Sequence, residues 1–355
     1  MDFRLSDNQV ALADGIRSMV TGRLPLDHLR ANEGAERAIG AEDWRLLADT
    51  GVFALSLPEP EGVGLGLADA VVVFEELGRA LVPGPLVGTY LAASAQLVEG
   101  AADGRAVVGV HSTGGGPILV EHLASLDALL VLSGAVGDST ARLIAPAPSA
   151  ADGRRMAAPL CPFTPLWHLD SLPAGEPLPD LGGRLWRDGA LLTAALQVGH
   201  AGSALDLAVA YAKERHQFGQ PIGAFQAVKH ICADMLVRYE VARAAVHAAA
   251  CLVDQPGVAA HEAESTGRSP DDVVARAVLG AKVLADEAAL VNARAGIQVH
   301  GGMGFTWEIP AHLAYKRARV LATQFGTDDQ LAQSLAESLA TGPADTGSAG
   351  CADVR

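Results

Sequence analysis

Apolar residues in the first hundred positions recur at the three- and four-residue spacing that is typical of amphipathic helices. Ser6 and Gln9 have the spacing of a capping box, which predicts the start of a first helix. A second helix is predicted over Ala41–Asp49, because a glycine follows it where a left-handed residue is expected. The stretch 57–67 is rich in proline and glycine and predicts a loop, and the periodic stretch 67–82 predicts another helix.

The pattern changes to short apolar runs between about residues 104 and 187. These runs are rich in Val, Ile and Leu, are separated by Gly, Asp, Ser and Pro, and span 106–112, 117–122, 128–133 and 141–146. Runs of this length and spacing predict short strands that form a small barrel or sandwich. The following segment, 146–183, is rich in proline and is predicted to be mostly loop.

Helical spacing returns after about residue 188, now over longer stretches. Helices are predicted over 190–214 and 225–252, and a third begins at Ser269, an N-cap before a proline and two aspartates, and runs to about residue 297. Thr327 and the glutamine three residues later form a second capping box, which opens a last helix to about residue 339. Four such helices predict an antiparallel bundle.

These patterns divide the chain into four parts. We expect an N-terminal helical domain, a small middle β-domain, a C-terminal four-helix bundle and a disordered tail, over 1–103, 104–187, 188–341 and 342–355. The fold class is therefore predicted to be mainly α.

The composition and net charge exclude several classes of function. Half of the 355 residues are apolar, which is enough for a large core, and Ala, Leu and Val favour packed helices. The net charge of −15 argues against broad binding of nucleic acid or of an anionic membrane surface. The chain contains no signal peptide core, no run of about 20 apolar residues and no CxxC pair. We expect a cytoplasmic protein without a metal site.

Two polar segments stand out from the helical pattern. RHQFGQPIGAFQ (215–226) lies between two long predicted helices and combines an arginine, several amides and two phenylalanines. An arginine can hold a phosphate through two parallel hydrogen bonds, amides can bind a base or ribose, and phenylalanine can pack on a ring. QVHGGMGF (298–305) contains glycines that allow a ligand to approach the backbone closely. Each segment alone is equally compatible with a structural turn.

Three stretches together resemble the acyl-CoA dehydrogenase family. They are DWRLLADTGVFALSLPEPEGVGLGL (43–67), AYAKERHQFGQPIGAFQAVKHICADM (210–235) and IQVHGGMGFTWEIP (297–310). The resemblance implies the same three-domain fold and an FAD enzyme that oxidises acyl-CoA thioesters to 2-enoyl-CoA. In such enzymes a carboxylate removes the α-proton while the β-hydrogen passes to the flavin as hydride.

The resemblance also implies cofactor-binding residues. In the family, FAD lies at a subunit interface, where the arginine turn and the glycine loop of one subunit hold the adenine and pyrophosphate of an FAD whose flavin lies in the neighbouring subunit. Carried over by motif, these roles fall on Arg215, Gln217, Phe218, Gln226, Gln298, Gly301 and Gly302.

The chain departs from the family at the catalytic base. The family places its glutamate either just before the last helix or on the long helix that precedes the arginine turn, and here those positions hold Phe325 and Gly189. A phenylalanine cannot remove a proton, so we assign no catalytic residue to this chain. Asp188, Asp328 and Asp329 are the nearby carboxylates, and the last two are expected to serve the first turn of the final helix.

The middle domain departs from the family as well. The flavin-contacting stretch of the family is not recognisable, and HSTGGGPILVEH (111–122) is the nearest segment. Both departures resemble the shorter, base-lacking subunit of the heteromeric acyl-CoA dehydrogenases of actinobacteria. We expect an α2β2 heterotetramer in which a longer homologous subunit supplies the glutamate and the flavin pocket, with a steroid-derived CoA thioester as the favoured substrate. The alternatives are a homo-oligomeric dehydrogenase with an atypical base and a non-catalytic scaffold that has lost FAD.

Overall fold

The protein is described by a computed structural model over residues 4–113, 116–134 and 139–340. The predicted disordered tail, 342–355, lies outside the described residues, as do two positions of the 111–122 segment. The fold is mainly helical with a small region of sheet between two helical parts, as predicted.

Within the described ranges the chain forms eleven α-helices. They are α1 (Asp7–Arg23), α2 (Leu26–Arg30), α3 (Ala41–Asp49), α4 (Leu67–Arg79), α5 (Leu86–Ser94), α6 (Gly182–Glu214), α7 (Gln226–Asp254), α8 (Pro256–Thr266), α9 (Pro270–His300), α10 (Ala311–Leu321) and α11 (Asp328–Ala340). The strands are β1 (Val108–Thr113), β2 (Ile118–Glu121), β3 (Ala128–Ser133), β4 (Thr140–Ile144), β5 (Arg154–Arg155), β6 (Leu166–Leu169), β7 (Glu176–Leu178), β8 (His216–Gln217) and β9 (Gln220–Pro221).

The two predicted capping boxes are present at the starts of α1 and α11. Ser6 Oγ accepts a hydrogen bond from the Gln9 N–H at 3.3 Å, and Gln9 Oε1 accepts one from the Ser6 N–H at 3.1 Å, which confirms the first capping box. Thr327 and Gln330 form the second box in the same way. Helix α5 was not predicted, because nearly all of its residues are buried and a helix that is apolar on all sides shows no amphipathic period.

The middle region is a sandwich of two sheets. One sheet has the strand order β1-β3-β4-β7, with β1 parallel to β3, and the other has the order β2-β6-β5. The two sheets pack on each other through Val120, Leu129, Val131, Ile144, Trp167 and Leu169. The four predicted strands are confirmed. The prediction of loop over 146–183 is wrong in part, because β5, β6 and β7 lie there and strands of two to four residues are too short to show alternation.

Three long helices, α6, α7 and α9, build the C-terminal part, and the shorter α10 and α11 pack against them. Helix α6 begins at Gly182 and not at residue 190 as predicted, because its first turns carry arginines that hide the apolar period. Helices α6 and α9 run in the same direction. Gln197 of α6 donates to Asp286 of α9 at 2.9 Å, and further along both helices Asn292 Nδ2 donates to the Ala201 carbonyl at 3.4 Å.

A buried carboxylate joins the N-terminal part to the bundle. Glu75 of α4 accepts hydrogen bonds from Tyr239, Arg243 and His247 of α7, at 2.8 to 3.0 Å. Burial alone would raise the pKa of Glu75, but the hydrogen bond from His247 and the charge of Arg243 outweigh it and lower the pKa to about 2. Glu75 is therefore ionised in the folded protein and stabilises the contact between α4 and α7.

Candidate functional site

The two polar segments meet at one end of the bundle. Because α6 and α9 are parallel, their C-terminal ends lie side by side, and the rings of Tyr211 and His300 stack there with centroids 4.3 Å apart. His300 Nδ1 also lies 2.7 Å from the Gly296 carbonyl, which fixes the ring. The turn 215–226 follows the first helix end and the loop 298–305 follows the second, so both segments belong to the same surface.

The arginine turn is a tight hairpin of β8 and β9. Phe218 and Gly219 at its tip have φ values of +53° and +80°, and the Phe218 side chain is 91% exposed. The backbone of Arg215 is fixed, since its N–H donates to the Tyr211 carbonyl and its carbonyl accepts from the Ile222 N–H, both at 2.8 Å. The Arg215 side chain is exposed, so a rigid turn presents a guanidinium and an aromatic ring to the surroundings.

The amides of this surface are accessible too. Gln217, Gln226 and Gln298 are all exposed. Gln217 Nε2 donates to the His216 carbonyl at 2.7 Å, which orients the amide and leaves its oxygen as an acceptor. Gln226 begins α7, and Gln298 lies in the last turn of α9.

The glycine loop leaves its backbone open. Gly301 has φ +61° and ψ −138°, a conformation that essentially only glycine adopts. A Cβ placed at Gly301 or Gly302 would meet no atom within 4 Å, whereas one at Gly304 would lie 2.6 Å from the Ile297 carbonyl. The first two glycines therefore provide open space for a ligand, and the third is required by packing inside the loop.

The two positions to which the resemblance assigns the family's catalytic glutamate contact each other. A Cβ at Gly189 would lie 2.2 Å from two ring carbons of Phe325, so the phenylalanine ring occupies the space that a side chain at 189 would need. Phe325 is fully buried, and Trp186 packs edge-to-face on it with centroids 6.4 Å apart. The space between these two positions is thus filled by one apolar ring.

The three carboxylates near these positions have other roles in the structure. Asp188 is 8% exposed and accepts a hydrogen bond from Arg187 Nε at 2.8 Å, and Arg184 lies 3.6 Å away. Burial raises the pKa of Asp188, and the two arginines oppose that shift. Asp328 and Asp329 are exposed in the first turn of α11, where acidic residues stabilise a helix N-terminus.

One cluster was missed by the sequence analysis. Glu121 of β2, Arg317 of α10 and Gln324 lie together where the middle sandwich meets the bundle. No sequence pattern identifies this cluster. In the sequence Arg317 is one of several cations on an amphipathic helix, and its partners are distant in the chain.

Family models match most of the chain. The model of the acyl-CoA dehydrogenase N-terminal domain matches residues 6–104, and the model of the acyl-CoA dehydrogenase C-terminal domain matches residues 187–340. The chain belongs to the acyl-CoA dehydrogenase family. The two matches confirm the resemblance found in the three sequence stretches. Membership of this family supports an oxidoreductase that acts on an acyl-CoA thioester.

Individual relatives support the assignment. The chain is 37% identical over 318 residues to the acyl-CoA dehydrogenase IpdE2 of Mycobacterium tuberculosis, covering 86% of this chain and 89% of that protein. It is 36% identical over 307 residues to the acyl-CoA dehydrogenase FadE34 of the same organism, covering 78% of this chain and 40% of FadE34.

Solved structures share the fold. A variant of the Tcur3481–Tcur3483 steroid ACAD superposes with a TM-score of 0.76 at 26% identity, covering 94% of this chain and 98% of the other. The ChsE4–ChsE5 complex from Mycobacterium tuberculosis gives a TM-score of 0.78 at 22% identity, covering 97% and 100%. Among the described residues, no helix combines the length and the apolar character needed to span a membrane.

Proposed function

We propose that this chain is an interface subunit of an FAD-dependent acyl-CoA dehydrogenase. It contributes the adenine and pyrophosphate side of an FAD site, and a partner subunit contributes the catalytic glutamate and the flavin pocket. The observation that carries the proposal is the packing of the Phe325 ring on Gly189, because both base positions lack a carboxylate while the polar end of the bundle stays exposed.

The residues at the end of the bundle fit the adenine and pyrophosphate part of FAD. The Arg215 guanidinium suits a pyrophosphate, since its planar fork binds two oxygens at once, and the open backbone at Gly301 and Gly302 allows a ligand to approach closely. The amides and Phe218 suit a base and a ribose. The proposed set is Arg215, Gln217, Phe218, Gln226, Gln298, Gly301 and Gly302. When bound, FAD supplies the hydride acceptor.

The partner is proposed to be a longer homologous subunit in an α2β2 heterotetramer. Support comes from the solved structures that share the fold, since two of them are named as pairs of proteins, Tcur3481–Tcur3483 and ChsE4–ChsE5. The exposed polar end of the bundle, with Phe218 almost fully accessible, also fits a surface that a second subunit covers.

The proposed substrate is a steroid-derived CoA thioester, and the proposed compartment is the cytoplasm. The substrate class is supported by the name of the Tcur3481–Tcur3483 steroid ACAD, which is similar to this chain over nearly its whole length. A reducing compartment is supported by the three described cysteines, Cys161, Cys232 and Cys251, which are all free thiols.

A flavin absorbance spectrum tests the proposal. We expect the chain purified alone to be colourless and inactive, and the chain co-expressed with its longer partner to be yellow and to oxidise an acyl-CoA. A yellow and fully active homo-oligomer from the single chain would favour the atypical-base alternative instead. A colourless co-purified complex, with catalysis by neither preparation, would favour a scaffold that has lost FAD.

A further inference from the structure

The segment 111–122, which is nearest to the family's flavin-contacting stretch, is held at both ends by residues close to the C-terminus. In β1, Ser112 Oγ accepts a hydrogen bond from the Phe325 N–H at 3.0 Å. In β2, Glu121 Oε1 accepts one from Gln324 Nε2 at 2.7 Å. Two consecutive residues before α11 therefore bind two strands of the middle sandwich, one in each sheet.

Arg317 of α10 adds a charged group to the same contact. Its side chain is 3% exposed, its Nη1 donates a hydrogen bond to Thr164 Oγ1, and the same nitrogen lies 3.9 Å from Glu121 Oε2. A guanidinium removed from water is strongly destabilising unless it is paired. Glu121 belongs to β2 of the middle sandwich, and Thr164 belongs to the turn before β6. The Arg317 side chain therefore joins the sandwich to the bundle.

Two buried histidines beside Arg317 stay neutral. Burial lowers the pKa of His122 and of His200 to about 3, and the positive charge of Arg317 contributes to both shifts. Burial raises the pKa of Glu121, while Arg317 and Gln324 act in the opposite direction. The histidines therefore add no positive charge that would compete with Arg317 for Glu121.

The space left at this contact is small. The cavity has a volume of about 20 Å³ and is lined, among others, by Gly88, Gly109, Glu121, His122, Arg317 and Gln324. A cavity of this size holds about one water molecule. Pockets for drug-sized ligands have volumes of roughly 300–1,000 Å³, so the contact has no room for a flavin ring system.

We propose that Thr164, Glu121, Arg317 and Gln324 form a clasp that closes this chain's own flavin half-site. The clasp docks the middle sandwich on the bundle by direct side-chain contacts, at the segment that is nearest to the family's flavin-contacting stretch. The inference rests on the proposed function, in which the flavin pocket belongs to the partner. Its consequence is that this chain reaches its complete fold without a cofactor of its own, with Arg317 as the positioning residue.

Amide hydrogen exchange on the singly expressed chain tests the clasp. Arg317→Met removes the charge at similar side-chain length, and Arg319→Met changes an exposed arginine on the same helix as a matched control. In Arg317→Met we expect exchange in β2 and β6 to become at least about 100-fold faster, since removing one partner of a buried pair leaves the other uncompensated. In Arg319→Met we expect exchange to stay within about twofold of the wild type.

A double variant separates a coupled clasp from a general loss of packing. Glu121→Gln/Arg317→Met removes both charged groups, and we expect slower exchange in β2 than in Arg317→Met alone. If Arg317→Met fails to fold, Thr164→Val removes one hydrogen-bond acceptor at constant volume and should accelerate exchange in the same strands by about tenfold, the effect of losing one hydrogen bond to a charged group.

Equal exchange in Arg317→Met and Arg319→Met would overturn the proposal, as would additive effects of the two substitutions in the double variant. These outcomes are independent of the proposed function, because the exchange rates are measured on the chain without its partner. FAD binding to the complex with the partner depends on the exposed end of the bundle. If the exchange results contradict the clasp while the complex still binds FAD, the proposed subunit role is unaffected. If the exchange results support the clasp but the complex binds no FAD, the proposed subunit role is contradicted.

Discussion

Two phenylalanines with the same unusual backbone conformation allow structural and cofactor roles to be separated. Phe325 has φ +57° and is fully buried, whereas Phe218 has φ +53° and is 91% exposed. Replacing either residue with alanine leaves a left-handed non-glycine residue in place, so the backbone contribution to the stability change is similar in both variants. The difference between the two variants then reports the packing of the side chains.

The structure sets the size of the expected difference. Removing a fully buried phenylalanine costs about 3–5 kcal/mol, and the cost is highest where the site cannot collapse. Gly189 has no side chain to move into the vacated space, and Trp186 touches the ring only edge-on, so we expect Phe325→Ala to lose at least about 3 kcal/mol of unfolding free energy. Phe218→Ala should change that free energy by no more than about 0.5 kcal/mol.

Urea unfolding of the singly expressed chain measures both values, and flavin content of the co-purified complex measures the cofactor role. We expect Phe218→Ala to be stable and to hold less FAD, and Phe325→Ala to be unstable as a single chain. A loss below about 1 kcal/mol for Phe325→Ala would refute the description of the ring as a packed replacement for the base, because a buried ring cannot be removed at that cost.

The remaining predictions concern three side chains. Arg215→Ala should lower FAD affinity in the complex by roughly ten- to a hundredfold, the loss of one charge-assisted contact, and Arg215→Lys should recover only part of it. Phe325→Glu should give no dye reduction with an acyl-CoA when the chain is expressed alone, since a base without a hydride acceptor transfers nothing. Glu75 is ionised above pH 4.5 in the unfolded chain and above about pH 2 in the folded one, so its contribution, about 3 kcal/mol at neutral pH, is lost as the pH falls from 4.5 towards 2. Relative to Glu75→Gln, the wild type should lose about 0.8 kcal/mol of unfolding free energy between pH 7 and pH 4.

Each of these predictions has an outcome that contradicts it. Full flavin content in Arg215→Ala together with a broken assembly, measured by size exclusion on the same sample, would assign Arg215 to subunit contact instead of cofactor binding. Acyl-CoA-dependent dye reduction by singly expressed Phe325→Glu would show that this chain has a working flavin pocket. Parallel pH curves for wild type and Glu75→Gln would mean that the carboxyl group has the same pKa in the folded and unfolded chain.

The parts of the fold that depend on local chemistry were predictable from the sequence. The capping boxes at Ser6 and Thr327 and the N-cap at Ser269 involve residues three positions apart, so their geometry follows from the helix itself. The early start of α6 and the strands β5 to β7 were not predictable, because their formation depends on partners elsewhere in the chain. Strand β7, for example, exists only by pairing with β4.

The candidate site shows the same limit. The sequence resemblance marks positions 189 and 325 separately as sites without a base, but nothing in the sequence indicates that the ring at one position fills the space at the other. The burial of Arg317 is equally hidden, since it depends on Thr164 and Glu121, which are more than a hundred residues away. Such contacts are tertiary, and only the folded chain brings them together.

The two ends of the candidate site have opposite physical character, and this contrast supports the proposed division of roles between subunits. At the end of the bundle a fixed backbone carries an exposed guanidinium, exposed amides and open glycines, which are all accessible to a molecule outside the chain. Between the bundle and the sandwich, Phe325 and Arg317 already have their partners within the chain. A ligand entering there would have to replace these contacts, whereas a ligand at the exposed end displaces only water. Cofactor binding at the exposed end is therefore the arrangement that costs this chain the least.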